Sequence, residues 1–382
     1  MVVSARFVLL SSLVFAAACA SPDPADRDAL DESTGDGEGD PGDGDPSGDG
    51  DGDPTGDGDG DPSGDGDPTG DGDGDPSGDG DGDPGEPLTE VNVYLSGHSL
   101  FNLEMPALLA EIAAGQGKTH RYNVQIGNGS TMLFRLSGEG NEQDRNGDVI
   151  DYPVLDEIAQ ANTIDASHYD VLMVTEAVDI FDQLLFSETL PSLATFYTAL
   201  VDAVPDARVY FYDSWDSLET GGGTHASWVA HTRGEFEIWT CIVAKANEGR
   251  PNNPIRPIPG GMVLADLVEA ADAGELPGLT ASGLFNPDGH HLSALGNYAI
   301  ALAQFAVLYR DSPVGSPTSF AGFAQPLEVP SDLAAAIELQ VQASVQAFAV
   351  ATQTPPDIDT CRASLSEYCD TQYCEGLVAD LF

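Results

Sequence analysis

Two short stretches of this chain hold residue types that can do nucleophilic chemistry together. The first is Leu95-Ser96-Gly97-His98-Ser99-Leu100, which begins at the end of the apolar run Val91–Leu95. A serine between a strand and a helix can project its hydroxyl into a cleft while backbone N–H groups point at the same space. The second is Asn286-Pro287-Asp288-Gly289-His290-His291, followed by Leu292-Ser293-Ala294-Leu295-Gly296. A serine hydroxyl is a poor nucleophile until a base takes its proton. An imidazole base in turn needs an acid to fix its tautomer and stabilise its charged form. Asp288 and His291, three apart in one loop, have the spacing to lie side by side; His290 competes with His291 for the base role.

The elements that must position these residues follow from hydrophobic patterning. Val91–Leu95 reads as a buried strand, and further strands are expected at Tyr122–Ile126, Val171–Val174, Val209–Tyr212 and Ile255–Ile258. A helix is expected from Pro106 through Leu108, Leu109 and Ile112, since proline suits the first helical turn. Other helical patterns lie near residues 153–161, 190–203, 234–247, 261–273 and 292–309. Strands that alternate with helices predict a mostly parallel sheet covered on both faces, an α/β three-layer sandwich. Reactive groups in such sheets gather beyond the carboxyl ends of the strands. After Pro313 the pattern changes. Ser331 can cap a helix with the stripe Leu333, Ile337, Val341, Val345 and Phe348, and residues 316–382 read as a helical, cysteine-containing appendage.

Together the two stretches resemble the SGNH (GDSL-type) esterase and lipase family, over about residues 88–315. That family carries a Gly-x-Ser-Leu motif after its first strand and an Asp-x-x-His-Leu motif before its last helix. Gly97-His98-Ser99-Leu100 and Asp288-Gly289-His290-His291-Leu292 match both. The resemblance implies a flavodoxin-like fold, with Ser99 as nucleophile, His291 as general base and Asp288 as its orienting acid. It implies an oxyanion hole of the Ser99 N–H and a glycine N–H after the second strand, with Gly129 preferred to Gly127 and Asn128 beside them. The family's Gly-x-Asn-Asp motif after the third strand is replaced by Glu176-Ala177-Val178-Asp179, so Val178 stands where the asparagine donor is expected. Asn128 or the Thr175 hydroxyl is the expected substitute, and Glu176 is expected to bind substrate hydroxyls. Trp215, Trp228 and Trp239 fall within residues 213–240, which read either as a loop whose aromatic faces line the cleft, Trp215 foremost, or as residues of the core. The implied reaction is ester hydrolysis, on acyl groups of carbohydrate or on lipid esters, without cofactor or metal. A hydrolase-like binding module that has lost turnover is the alternative.

Charge and composition bound the partners. Residues 22–87 are almost wholly Asp, Gly, Pro, Ser and Thr and hold 25 of the 64 acidic residues. The remaining 39 acids face 11 Lys and Arg in residues 88–382, so both parts are acidic and no basic patch exists to meet nucleic acid or an anionic membrane. Repeats such as Gly-Asp-Gly-Asp-Pro-Ser carry no apolar side chain and read as a disordered, self-repelling tether over residues 20–87. Asp144-Arg145-Asn146-Gly147-Asp148 reads as a polar turn rather than a calcium loop. At the N-terminus, Arg6 and the apolar run Phe7–Ala18 read as an export signal. Ala16-Ala17-Ala18-Cys19 resembles a lipobox and makes Cys19 the expected lipid anchor of a cell-surface protein; Ala18-Cys19-Ala20 also fits ordinary cleavage. Export to an oxidising compartment predicts disulfides among Cys241, Cys361, Cys369 and Cys374, four residues that allow three pairings, one bridge expected to reach Cys241.

Overall fold

The computed structural model of the chain describes residues 85–137, 154–160, 168–322 and 325–382. The export signal, Cys19, nearly all of the tether and the Asp144–Asp148 turn lie outside the described residues.

Five strands form one parallel sheet: β1 (Glu90–Gly97), β2 (Thr119–Ile126), β3 (Val171–Val174), β4 (Arg208–Tyr212) and β5 (Arg256–Ile258), in the order β2-β1-β3-β4-β5. This is the flavodoxin-like order expected. β1 and β3 are apolar on alternate residues of both faces, because each face is covered. Val91, Val93 and Leu95 join one core cluster, whereas Tyr94, Leu172 and Val174 join the other. The first face is covered by α1 (Glu104–Gly115), α7 (Gly260–Asp272) and α8 (Ala294–Tyr309). The second is covered by α2 (Met132–Ser137), α3 (Val154–Ala159), α4 (Ile180–Phe186), α5 (Thr189–Val201) and most of α6 (His225–Ala246).

α6 begins nine residues before its expected start. Thr224 caps it by accepting from the Ser227 N–H, and Ser227 Oγ in turn accepts from the Thr224 N–H. This brings Trp228 onto the same helix as Trp239, both buried, so the two pack in the core and do not line a cleft loop. The chain order reverses between β1 and β3: from β1 the chain goes outward to β2, then crosses back to β3. That switch point opens a crevice at the carboxyl ends of these strands.

Beyond a two-stranded hairpin, β6 (Ser319–Phe320) and β7 (Leu327–Glu328), lies α9 (Ser331–Ala351). Its Leu333, Ala334, Ile337 and Val341 belong to the same core cluster as α7 and α8, so this helix shares the domain's core. The final helices α10 (Ile358–Ser366) and α11 (Gln372–Leu381) lie on the opposite side, where Cys361, Leu365 and Val378 join the second cluster. Disulfides join Cys241 to Cys361 and Cys369 to Cys374. The first bridge straps α10 to α6.

Candidate active site

Ser99 occupies a tight turn at the end of β1, closed by the Phe101 N–H donating to the His98 carbonyl at 2.8 Å. Gly97 makes the turn possible, because a Cβ there would stand 2.7 Å from Phe101 Cβ. Asn102 starts α1 by accepting from the Glu104 and Met105 N–H groups, and it takes a positive φ of 31° to do so. Its side-chain amide donates to Asn297 Oδ1 on α8 at 3.0 Å. The Ser99 turn is thus tied to the helix that follows the histidine loop.

That loop is a narrow hairpin. Phe285 and Leu292 form an antiparallel bridge, and the Asn286 N–H donates to the His291 carbonyl at 2.7 Å. Asn286, Pro287, Asp288 and Gly289 make the turn, with Gly289 at a φ of +66°. Within it, Asp288 Oδ1 accepts from the N–H groups of His290 and His291, and Oδ2 lies 2.8 Å from His291 Nδ1. Burial pushes the Asp288 carboxyl up, but the His290 N–H and the His291 ring and N–H outweigh it and hold the group at about 2. An ionised Asp288 makes Nδ1 the protonated nitrogen and leaves Nε2 free to accept a proton. Gly296 sets the approach of α8 to the loop, since a Cβ there would stand 2.1 Å from the Leu284 carbonyl oxygen.

Ser99 and His291 line one cleft of about 680 Å³, together with Asn102, Asn128, Asn286 and Asn297. Among the described residues no hydrogen bond joins Ser99 to His291. Catalytic hydrogen bonds are often open without substrate and tighten as it binds. Asn128 and Gly129 form an exposed turn after β2, held by the Gly127 N–H to the Gly97 carbonyl and the Ser130 N–H to the Gly127 carbonyl, both 3.0 Å. Gly129 takes a φ of +67° with open space around it, and Asn128 borders the cleft. A larger groove, about 810 Å³, is lined in part by Val307, Arg310 and Phe348 and holds none of these residues.

Two expected substrate contacts are corrected. Glu176 is fully buried: its Oε1 accepts from the Met132 and Ala177 N–H groups and its Oε2 from the Thr189 hydroxyl. Burial pushes its carboxyl up, opposed by Arg135 and these donors. With both oxygens occupied, Glu176 braces α2 and α5 instead of reaching substrate. Trp215 is also buried, and its Nε1–H donates to the His290 carbonyl at 3.0 Å, so it supports the histidine loop from behind. The Thr175 hydroxyl donates to the Tyr212 carbonyl at 2.8 Å and is not free for an oxyanion. Val178 is half-buried against the core.

Several residues escaped sequence reasoning. His98 Nε2–H donates to the Glu176 carbonyl at 2.9 Å, tying the nucleophile's turn to the β3 exit, and burial drives its pKa down to about 3. Its place in the Gly-x-Ser-Leu motif was the only signal. Arg135 is wholly buried and donates to Ser96 Oγ, to the Ser130 carbonyl and to the Thr175 carbonyl, linking the exits of β1, β2 and β3. A third group, Asp216, His231 and Glu235, gathers behind Trp215. Burial, then Asp216, Asp179 and Asp213, push Glu235 up to about 8.

No protein-family profile matches the chain, and no curated protein matches it. Among solved structures, a DUF4886 family protein from Bacteroides uniformis is 12% identical, with a TM-score of 0.48 over 71% of this chain and 99% of that one. A family 3 carbohydrate esterase from Clostridium thermocellum is 12% identical, with a TM-score of 0.35 over 56% and 94%. A structure described as a GDSL-like lipase from Parabacteroides merdae is 13% identical, with a TM-score of 0.36 over 58% and 97%. At such identities and scores, none of these carries an activity over to this chain.

Proposed function

We propose that this chain is a serine esterase of the SGNH type, acting outside the cytoplasm on short acyl esters of polar alcohols such as carbohydrates. The observation that carries it is the Asp288–His291 hydrogen bond at the cleft that Ser99 lines. Ser99 Oγ attacks the ester carbonyl while His291 Nε2 takes its proton. The Ser99 and Gly129 N–H groups, with the Asn128 amide, receive the negative charge on the carbonyl oxygen. Collapse expels the alkoxide, which leaves as the alcohol with the proton from His291. Water activated by His291 then cleaves the acyl-serine and restores the enzyme.

The cleft's composition supports the substrate class. Asn102, Glu104, Asn128, Asn286 and Gln325 give it a polar rim. Its apolar lining is limited to small or aliphatic groups such as Ile126, Leu292 and Ala294, which suits a short acyl chain better than a long one. The export signal and the acidic tether support a location at the cell surface, with Cys19 as lipid anchor.

A fluorophosphonate probe tests the reading. It labels the folded wild type, and Ser99→Ala abolishes the label; equal labelling of Ser99→Ala defeats the proposal. The second reading, a binding module without turnover, draws on Val178, which leaves the oxyanion one side-chain donor short. It predicts that short-chain nitrophenyl esters bind competitively yet are not hydrolysed.

A further inference from the structure

The group behind the catalytic loop has no part in the proposed reaction. Asp216 follows β4, and His231 and Glu235 are four apart on α6, on one helix face. His231 Nε2 lies 3.2 Å from Asp216 Oδ2 and 3.4 Å from Glu235 Oε2, and one ligand atom from each of the three lies within 4.8 Å of the others. Adjacent ligands held about 2.1 Å from a shared zinc-sized cation stand roughly 3.0–3.4 Å apart, the spacing of the two nearer pairs. Among the described residues no Lys or Arg pairs with Asp216 or Glu235, nor with Asp179 and Asp213, whose negative charges act on Glu235.

A separate observation points to a ligand. Ser214, Asp179 and Glu235 line a narrow hollow between the β3 and β4 exits. Ser214 is 3% exposed, and its hydroxyl is buried without a hydrogen-bond partner. A buried hydroxyl without a partner therefore belongs to a residue that shares this hollow with Glu235. Buried hydroxyls are ordinarily satisfied, so an unpartnered one on a residue that shares a hollow with Glu235 stands out.

We propose that Asp216, His231 and Glu235 bind a divalent transition-metal ion, beside the hollow that Ser214 and Glu235 share. One imidazole nitrogen with two carboxylates suits zinc or manganese better than calcium, which prefers oxygen alone. The ion joins the β4 exit segment to α6. That same segment holds the catalytic loop through Trp215 Nε1–H to the His290 carbonyl and the Leu218 N–H to the Gly289 carbonyl, 2.8 Å. The metal is a clamp behind the proposed active site, and it takes no part in the reaction.

The test is titration of the purified full-length chain, stripped by chelation, with zinc chloride by calorimetry. Cobalt(II) serves as a second probe, whose visible absorption reports coordination by protein. Wild type takes up one zinc ion at a saturable site and its thermal midpoint rises. His231→Ala and Glu235→Gln lose that site, with affinity down by at least about 100-fold. His291→Ala retains it, which separates the site from the exposed His290/His291 pair. If His231→Ala fails to fold, the isosteric Glu235→Gln decides. Equal zinc uptake by both variants places the ion on the tether or the catalytic histidines and overturns the proposal, as does the absence of a saturable site in wild type. The readout is metal binding rather than turnover, so failure of the esterase reading leaves this result interpretable.

Discussion

His98 makes the domain's stability depend on pH in a way one substitution can isolate. Its imidazole is buried, donates to the Glu176 carbonyl, and protonates only near pH 3 in the folded chain. In the unfolded chain it titrates near its ordinary value of 6.5. Between these limits the unfolded state binds a proton that the native state refuses, so stability falls as pH is lowered from 6.5 toward 3. One such group contributes about 1.4 kcal/mol per pH unit. From pH 7.5 to 4.5 this amounts to about 2.5 kcal/mol. The perturbation is His98→Gln, which keeps a side-chain donor for the Glu176 carbonyl and removes the titration. The assay is urea unfolding of both proteins at the two pH values. The buried carboxylates Glu176 and Asp213, raised in pKa by burial, act in the opposite direction, but they do so in both proteins and cancel in the comparison. The variant therefore loses about 2.5 kcal/mol less than wild type on acidification. Equal losses in the two proteins would refute the reasoning.

Further outcomes follow from the same geometry. Ser99→Ala and His291→Ala each lower kcat on a nitrophenyl ester by about 10⁴-fold or more, with the fold intact by circular dichroism. Asn128→Ala lowers kcat by about 10²–10³ while KM stays nearly constant, because an oxyanion donor acts in the transition state; a change confined to KM would assign Asn128 to substrate binding instead. Replacing Cys241 and Cys361 together by alanine lowers unfolding stability by about 2–5 kcal/mol, read from the denaturant midpoint.

The strands and most helices of the sandwich were legible because a strand buried on both faces is a short, continuous apolar run. Val171–Val174 needs no context to be read that way. Ser99 and the Asp288–His291 pair were legible as a candidate site because each lies within a local motif whose spacing suits that chemistry. Glu176 and Trp215 were not. A glutamate after a strand looks like a cleft residue until the N–H of Met132, 44 positions away, and the hydroxyl of Thr189 are brought to its oxygens. Trp215 looked like a surface for sugar rings until its ring N–H met a carbonyl 75 positions on. Residues 225–233 hide the start of α6 because their pattern is polar and the capping pair Thr224 and Ser227 carries the signal instead. The Asp216, His231 and Glu235 group joins a loop to a helix, and although His231 and Glu235 are four apart, nothing in the linear sequence brings Asp216 to them.

The two disulfides also differ in how much of the chain each one needs. Four cysteines could pair in three ways, yet Cys369 and Cys374 are 5 residues apart and Cys241 and Cys361 are 120 apart. Closing the short loop costs about 3 kcal/mol less chain entropy, so that pairing is favoured over those that would join Cys369 or Cys374 to Cys241. Cys241 pairs with Cys361, which follows β5, α7, α8 and α9 in the chain. The Cys241–Cys361 bond is thus a report that everything between α6 and α10 is present. A chain cut short before residue 361 keeps an unpaired thiol on α6, a chemical mark by which incomplete molecules differ from finished ones.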